Sequence, residues 1–122
     1  MKSLFFLLIM CAAGSVTAQD YIAPQPNERQ MEEAIMLASK LDDQLSFTEK
    51  QLLAVEKLAG SFIARRDIIV GDQELTTIEK NEFLESIYVE EGNEMADILV
   101  REQMNLYERI RGDVQPLIVI IE

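Results

Sequence analysis

The sequence predicts an all-α fold of about four helices, arranged as two helical hairpins or as one long hairpin with extra arms. Three observations predict it. Apolar residues recur at three- and four-residue steps through most of the chain. Thr48…Gln51 and Thr76…Glu79 are capping-box signatures at the heads of such runs. No stretch shows clean period-two alternation before the last few residues.

Each element has its own justification. Asn27 is a good N-cap with Glu28 in the first turn, and Met31, Ala34, Ile35, Ala38, Leu41 and Leu45 form one face of a first helix. Asp42, Asp43 and Ser46 mark its end. The second helix starts with unusual clarity. The Thr48 hydroxyl can accept from the backbone N–H of Gln51, the Gln51 side chain can reach back to the N–H of Thr48, and Phe47 and Leu52 occupy the two staple positions. This helix is predicted to run from about Glu49 to Asp67, with Leu52, Val55, Ala59, Phe62 and Ile63 as its stripe. Gly60 inside it costs roughly 1 kcal/mol relative to Ala and marks a close helix contact. Arg65 and Arg66 near its end complement the helix dipole.

Gly71-Asp72-Gln73-Glu74 is the clearest turn, followed by the second capping box. The third helix is predicted from about Thr77 through Leu99, with Leu84, Ile87, Tyr88, Met95 and Ile98 on one face and Gly92-Asn93 interrupting or bending it. A fourth segment, Arg101 to Arg111, carries Leu106, Tyr107 and Ile110 and stops at Gly112.

The two ends read differently from the middle. Residues 1–18 have the pattern of a Sec signal: Lys2 supplies the charge, Leu4 to Met10 is an apolar run too short to span a bilayer, and Val16-Thr17-Ala18 offers small residues for cleavage before Gln19. The rival is a lipoprotein signal lipidated at Cys11; Met10 is larger than the small residue such signals carry before the cysteine. The expected organisation is therefore an exported periplasmic chain with a signal at 1–18, an extended arm at 19–26, a helical domain at 27–113 and a tail at 114–122. In the tail, Leu117, Ile118, Val119, Ile120 and Ile121 follow the helix-breaking Pro116, and four of the five are β-branched. Either this run lies strand-like over the helical core or a partner subunit, or it is a docking peptide for another protein. Left bare it invites aggregation, so each reading needs a covering surface.

Composition narrows the function. The formal net charge is −11, which argues against nucleic acid and anionic lipid surfaces as partners. There is no histidine, and the one cysteine lies in the signal, so Ser–His and Cys–His catalysis is excluded and the chain is read as a non-enzyme without cofactor. Disulfides cannot help it fold. Soft-metal sites lack ligands too. Glu90, Glu91, Glu94 and Asp97 could at most hold Ca²⁺ or Mn²⁺ weakly, and no calcium loop is present, so a solvated acidic stripe is the plainer reading. Met31, Met36, Met95 and Met104 with Phe62, Phe83, Tyr88 and Tyr107 suit a helical core, an adaptable client surface, or both.

Leu45-Ser46-Phe47-Thr48-Glu49-Lys50-Gln51 and Ile98-Leu99-Val100-Arg101-Glu102-Gln103 together resemble the paired LTxxQ motifs of the Spy/CpxP-like periplasmic family, with Leu75-Thr76 and Glu79-Lys80 resembling the start of its central helix and Tyr107 the aromatic that follows. The resemblance runs from roughly Leu41 to Ile110. It implies a kinked helical hairpin that pairs into a thin, cradle-shaped homodimer. It also implies ATP-independent binding of unfolded or stressed envelope proteins, damping of a membrane stress sensor, or heavy-metal binding. The motif and capping residues it picks out are Leu45, Thr48, Gln51, Leu99 and Gln103. Two departures stand out. Val100 replaces the second motif's Thr, which removes a cap of typically ~1 kcal/mol and leaves the helix free to run through. The chain is also acidic, where the chaperone members are basic on their concave face.

The leading expectation is thus a chaperone-like protein presenting shallow apolar patches ringed by charge, with Phe62, Ile63, Phe83, Ile87 and Met95 as client contacts. Its acidic surround favours basic clients, with binding weakened by salt. The alternatives are a regulatory partner of an envelope-stress sensor, docked through Leu117–Ile121, and a carboxylate metal sensor.

Overall fold

The computed structural model describes residues 24–121. The expected signal at 1–18, Cys11 and most of the arm lie outside the described residues. The fold is all-helical: α1 (Glu28–Leu45), α2 (Glu49–Gly71), α3 (Thr77–Ile98) and α4 (Arg101–Val114), followed by an extended tail. Each helix packs on the next, and α4 also returns to α1.

Local chemistry sets the first three helix starts. Asn27 and Gln30, Thr48 and Gln51, and Thr76 and Glu79 each exchange the two hydrogen bonds of a capping box. At the other end of α1, Ser46 takes a left-handed conformation (φ 53°), the single non-glycine residue to do so among those described. Asp42 secures the break, its carbonyl accepting from the Ser46 N–H and its carboxylate from the Phe47 N–H. Phe47 can then fold back on the core beside Leu52.

The core is three apolar clusters strung along α2. The largest joins Ala38, Leu41, Leu45, Val55, Met95, Leu99 and Tyr107, where all four helices meet. Ala34, Ala59 and Ile63 form the second, between α1 and α2. Phe62, Leu84 and Ile87 form the third, between α2 and α3, with Ile120 of the tail packed against it.

The helices depart from the sequence expectation in four ways. α2 runs on to Gly71, so Arg65 and Arg66 are interior to it and bind across helices. Arg66 forks onto Glu33 of α1 at 2.7 and 3.2 Å, and Arg65 pairs with Glu90 of α3. α4 likewise continues past Gly112 to Val114. α3 is continuous through Gly92-Asn93, with no interruption there. The helix does restart after Leu99 despite the lost hydroxyl, because the Gln103 side chain accepts from the Val100 N–H at 3.0 Å.

The two buried glycines serve different needs. At Gly60 an added Cβ would meet the Met31 sulfur at 2.8 Å, a contact a flexible side chain can vacate. At Gly92 it would meet the Arg111 guanidinium at 2.6 Å, and that group is held in place. Gly92→Ala is therefore expected to destabilise by about 1–3 kcal/mol, and Gly60→Ala to stay within about 1 kcal/mol of wild type as helix propensity offsets the repacking. Urea unfolding of the two variants side by side checks the contrast.

Candidate functional site

Helices α2 and α3 form a two-helix layer, and α3 presents two adjoining stripes beside its contact with α2. On one stripe Phe83, Ile87, Glu90 and Glu94 face Arg65, Ile68, Ile69 and Asp72 of the α2 side across an open groove of about 810 Å³. Its apolar floor is accessible: Ile68 is 59% exposed and Phe83 49%. Its rim is largely acidic, with Asp72, Glu90 and Glu94. Arg65 is not free to reverse that sign, since it pairs with Glu90 and lies over the Phe62 ring at 4.9 Å.

The other stripe takes the tail. Asn81, Leu84, Tyr88 and Glu91 follow one another at helical spacing, and residues 115–121 run along them. The cleft beneath is nearly filled, with about 70 Å³ remaining between Phe62, Leu84, Ile87 and the tail.

Where the tail begins, α3 and α4 share a buried polar cluster. Arg111 stacks on Tyr88 at 3.5 Å from the ring centre, donates to the Tyr88 carbonyl and lies 3.6 Å from the Glu91 carboxylate. The Gln115 amide donates to the same carboxylate at 2.8 Å. Burial pushes the Glu91 carboxyl up to about 7, with the Arg111 charge and the Gln115 hydrogen bond opposing it. Burial also raises the Tyr107 phenol, which stays protonated. The opposite shift occurs at Asp67. Burial would raise it, but hydrogen bonds from Gln30, Arg66 and Arg29 outweigh that and hold its carboxyl below the ordinary range.

The motif residues meet at the C-terminal end of α3, around the main core. Gln51 and Gln103 hydrogen-bond each other amide to amide, at 2.8 Å in one direction and 3.1 Å in the other. Each oxygen also accepts from its own N-cap N–H, that of Thr48 or Val100. Each nitrogen also donates to the carbonyl ending the helix before the other motif, Ile98 for Gln51 and Leu45 for Gln103. Both amides are thereby fully used. Leu45 and Leu99 are buried beneath them. The motif is a structural clasp.

Of the five residues expected to contact clients, Phe62, Ile63, Ile87 and Met95 are core side chains, between 2% and 8% exposed. They belong to the three clusters above, because α1, α4 and the tail cover the faces that the expectation left open. Phe83 alone stands on an accessible surface, with Ile87 contributing its edge to the groove floor. Ile68, the most exposed apolar residue of the groove, was missed, because it lies off the α2 stripe. Of the tail residues, Ile120 is half-buried, while Leu117, Ile118, Val119 and Ile121 remain exposed. The candidate metal carboxylates diverge: Glu90 turns to Arg65 and Glu91 to Arg111. Among the described residues no group of three or more acidic, His or Cys side chains could hold a metal ion, and no helix is long and apolar enough to cross a membrane.

Comparison of the chain with family models, curated proteins and solved structures finds no match, so the functional reading stands on this geometry and on the sequence.

Proposed function

We propose that this protein is an ATP-independent, chaperone-like binder of exposed apolar segments, acting on unfolded or stressed proteins of the periplasm. The observation that carries the reading is the α2/α3 groove, an accessible apolar floor of Ile68 and Phe83 within an acidic rim. The shape suits an apolar segment flanked by basic residues, and the rim disfavours acidic chains. The class of activity follows the resemblance of the two motifs to Spy/CpxP-like proteins, and the location follows the signal-like residues 1–18.

The test is suppression of light scattering by a reduced basic protein such as lysozyme, with the chain in modest excess and no nucleotide. Ile68→Ser with Phe83→Ser is expected to reduce suppression several-fold while shifting stability by about 1–2 kcal/mol, since both side chains are about half exposed. Added salt should weaken what remains. Suppression that ignores both changes would remove the groove from the reading.

A regulatory role through the tail is favoured by one observation, the exposure of Leu117, Ile118 and Val119. A pull-down of an envelope-stress sensor that depends on residues 115–122 would support it.

A further inference from the structure

The tail is held by its backbone. The Asn81 side-chain amide accepts from the Ile120 N–H at 2.8 Å and donates to the Ile120 carbonyl at 3.1 Å. Five residues earlier, the Tyr88 hydroxyl donates to the Gln115 carbonyl at 2.9 Å. An amide that closes both bonds on one residue's main chain recognises an extended backbone whatever side chain it carries. Between these two points the cleft floor is mostly apolar, built of Phe62, Ile63, Leu84 and Ile87 with Arg66 beside them. Of the run from Leu117 to Ile121, Ile120 packs against it, and Leu117 and Ile118 line its wall while staying partly exposed. The four side chains of that run other than Ile120 are between 36% and 88% exposed. Apart from Gln115 and Ile120, the tail backbone makes no hydrogen bond among the described residues. The cleft thus reads an extended, apolar strand chiefly through two main-chain points and aliphatic contact. Among the described residues, the Gln115 amide on Glu91 is the one contact it makes with a polar side chain of this tail.

We propose that this cleft is a peptide-binding site for an extended apolar segment of another protein, which the chain's own residues 115–121 fill until such a segment displaces them. The proposal rests on the chaperone-like reading and adds to it a second site, on the stripe of α3 next to the open groove. The seated tail defines the ligand: an aliphatic, β-branched run in extended conformation with a free N–H at the Asn81 clamp. Tethering places the tail at an effective concentration in the millimolar range, so weak individual contacts suffice to keep the cleft closed until a client competes.

A fluorescent synthetic peptide of residues 115–121 with flanking lysines, followed by anisotropy, tests it. The full chain should bind weakly and a chain ending at Val114 at least about tenfold more tightly, since the tethered competitor is gone. A peptide with proline at the position of Ile120 should lose binding to the shortened chain, because it cannot donate to Asn81, whereas shuffling the other aliphatic residues should change affinity by no more than about twofold. Should the shortened chain fail to fold, Ile120→Pro in the full chain serves the same purpose: it frees the tail, keeps the cleft and should raise peptide affinity. Equal binding by full and freed chains, or none by a folded freed chain, would overturn the proposal. A full chain that forms a dimer dissolved by the peptide would also overturn it, assigning the cleft to the tail of a second copy. Retained aggregation suppression without peptide binding would remove this site and leave the groove standing.

Discussion

Arg111→Met is expected to destabilise the protein by about 2–3.5 kcal/mol near pH 8 and by about 1–2 kcal/mol near pH 5, a gap of at most about 1.4 kcal/mol. The difference comes from Glu91. Its side chain is 6% exposed, and Arg111 at 3.6 Å is the cation facing it. From the other sides it meets Gln115, Tyr88 and Tyr107, with Glu94 adding a like charge. In the unfolded chain this carboxyl titrates near 4.5 and in the folded protein at about 7. Between those values the folded state holds a proton that the unfolded state has lost. Glu91 therefore stabilises the fold fully at low pH, and that contribution falls as pH rises, by at most about 1.4 kcal/mol per unit, levelling off above about 7. Removing Arg111 at high pH strands a buried anion or forces it to stay protonated. At low pH Glu91 is already neutral, and the variant loses only the Tyr88 carbonyl bond and the ring stacking.

Asp67 has the opposite sign, its stabilising effect being lost as pH falls below about 4, so the two windows do not overlap. Glu91→Gln should flatten the slope between about pH 5 and 7. Urea unfolding of the three proteins at a series of pH values reads all of this, and an Arg111→Met penalty equal at both ends would rule out the ionic account.

What the sequence made legible is what depends on neighbours in the chain. The Thr48 and Thr76 capping boxes, the turn at Asp72 and the Asn27 cap each involve groups a few residues apart, and each forms as expected. The apolar stripes were equally clear, but a stripe says that a face is covered without saying by what. Phe62, Ile63 and Met95 therefore read as client surface as readily as core, and only the positions of α1, α4 and the tail decide. Glu91 did leave a trace, as a charge within the stripe of Leu84, Ile87, Tyr88 and Met95, and Arg111 sits one turn after Tyr107 in the same way. Two such breaks in facing stripes are the mark of a buried pair. The Asn81–Ile120 clamp left none, because a lone Asn on a helix looks like any solvated residue.

The Gln51–Gln103 clasp lies between these cases, since its halves are local and its meaning is not. Gln103→Ala is expected to cost about 2–3 kcal/mol, well above the ~1 kcal/mol of losing an ordinary cap such as Thr48→Ala. One substitution removes the acceptor for the Val100 N–H, the donor to the Leu45 carbonyl and both bonds to Gln51. Val100 has no hydroxyl to fall back on, so the start of α4 loosens, and Tyr107 and Leu99 are drawn from the main core with it. Once Gln103 is gone, Gln51 has lost its partner too. The double variant Gln51→Ala/Gln103→Ala should therefore fall short of the sum of the singles by about 1–2 kcal/mol. Gln103→Glu sharpens the test: a carboxylate can still accept from Gln51 and Val100 but can donate neither to the Leu45 carbonyl nor to the Gln51 oxygen, so stability should recover in part as pH falls and the acid regains a proton. Additive single variants with no such recovery would mean that the two caps act independently, and that the paired motif joins nothing across the fold.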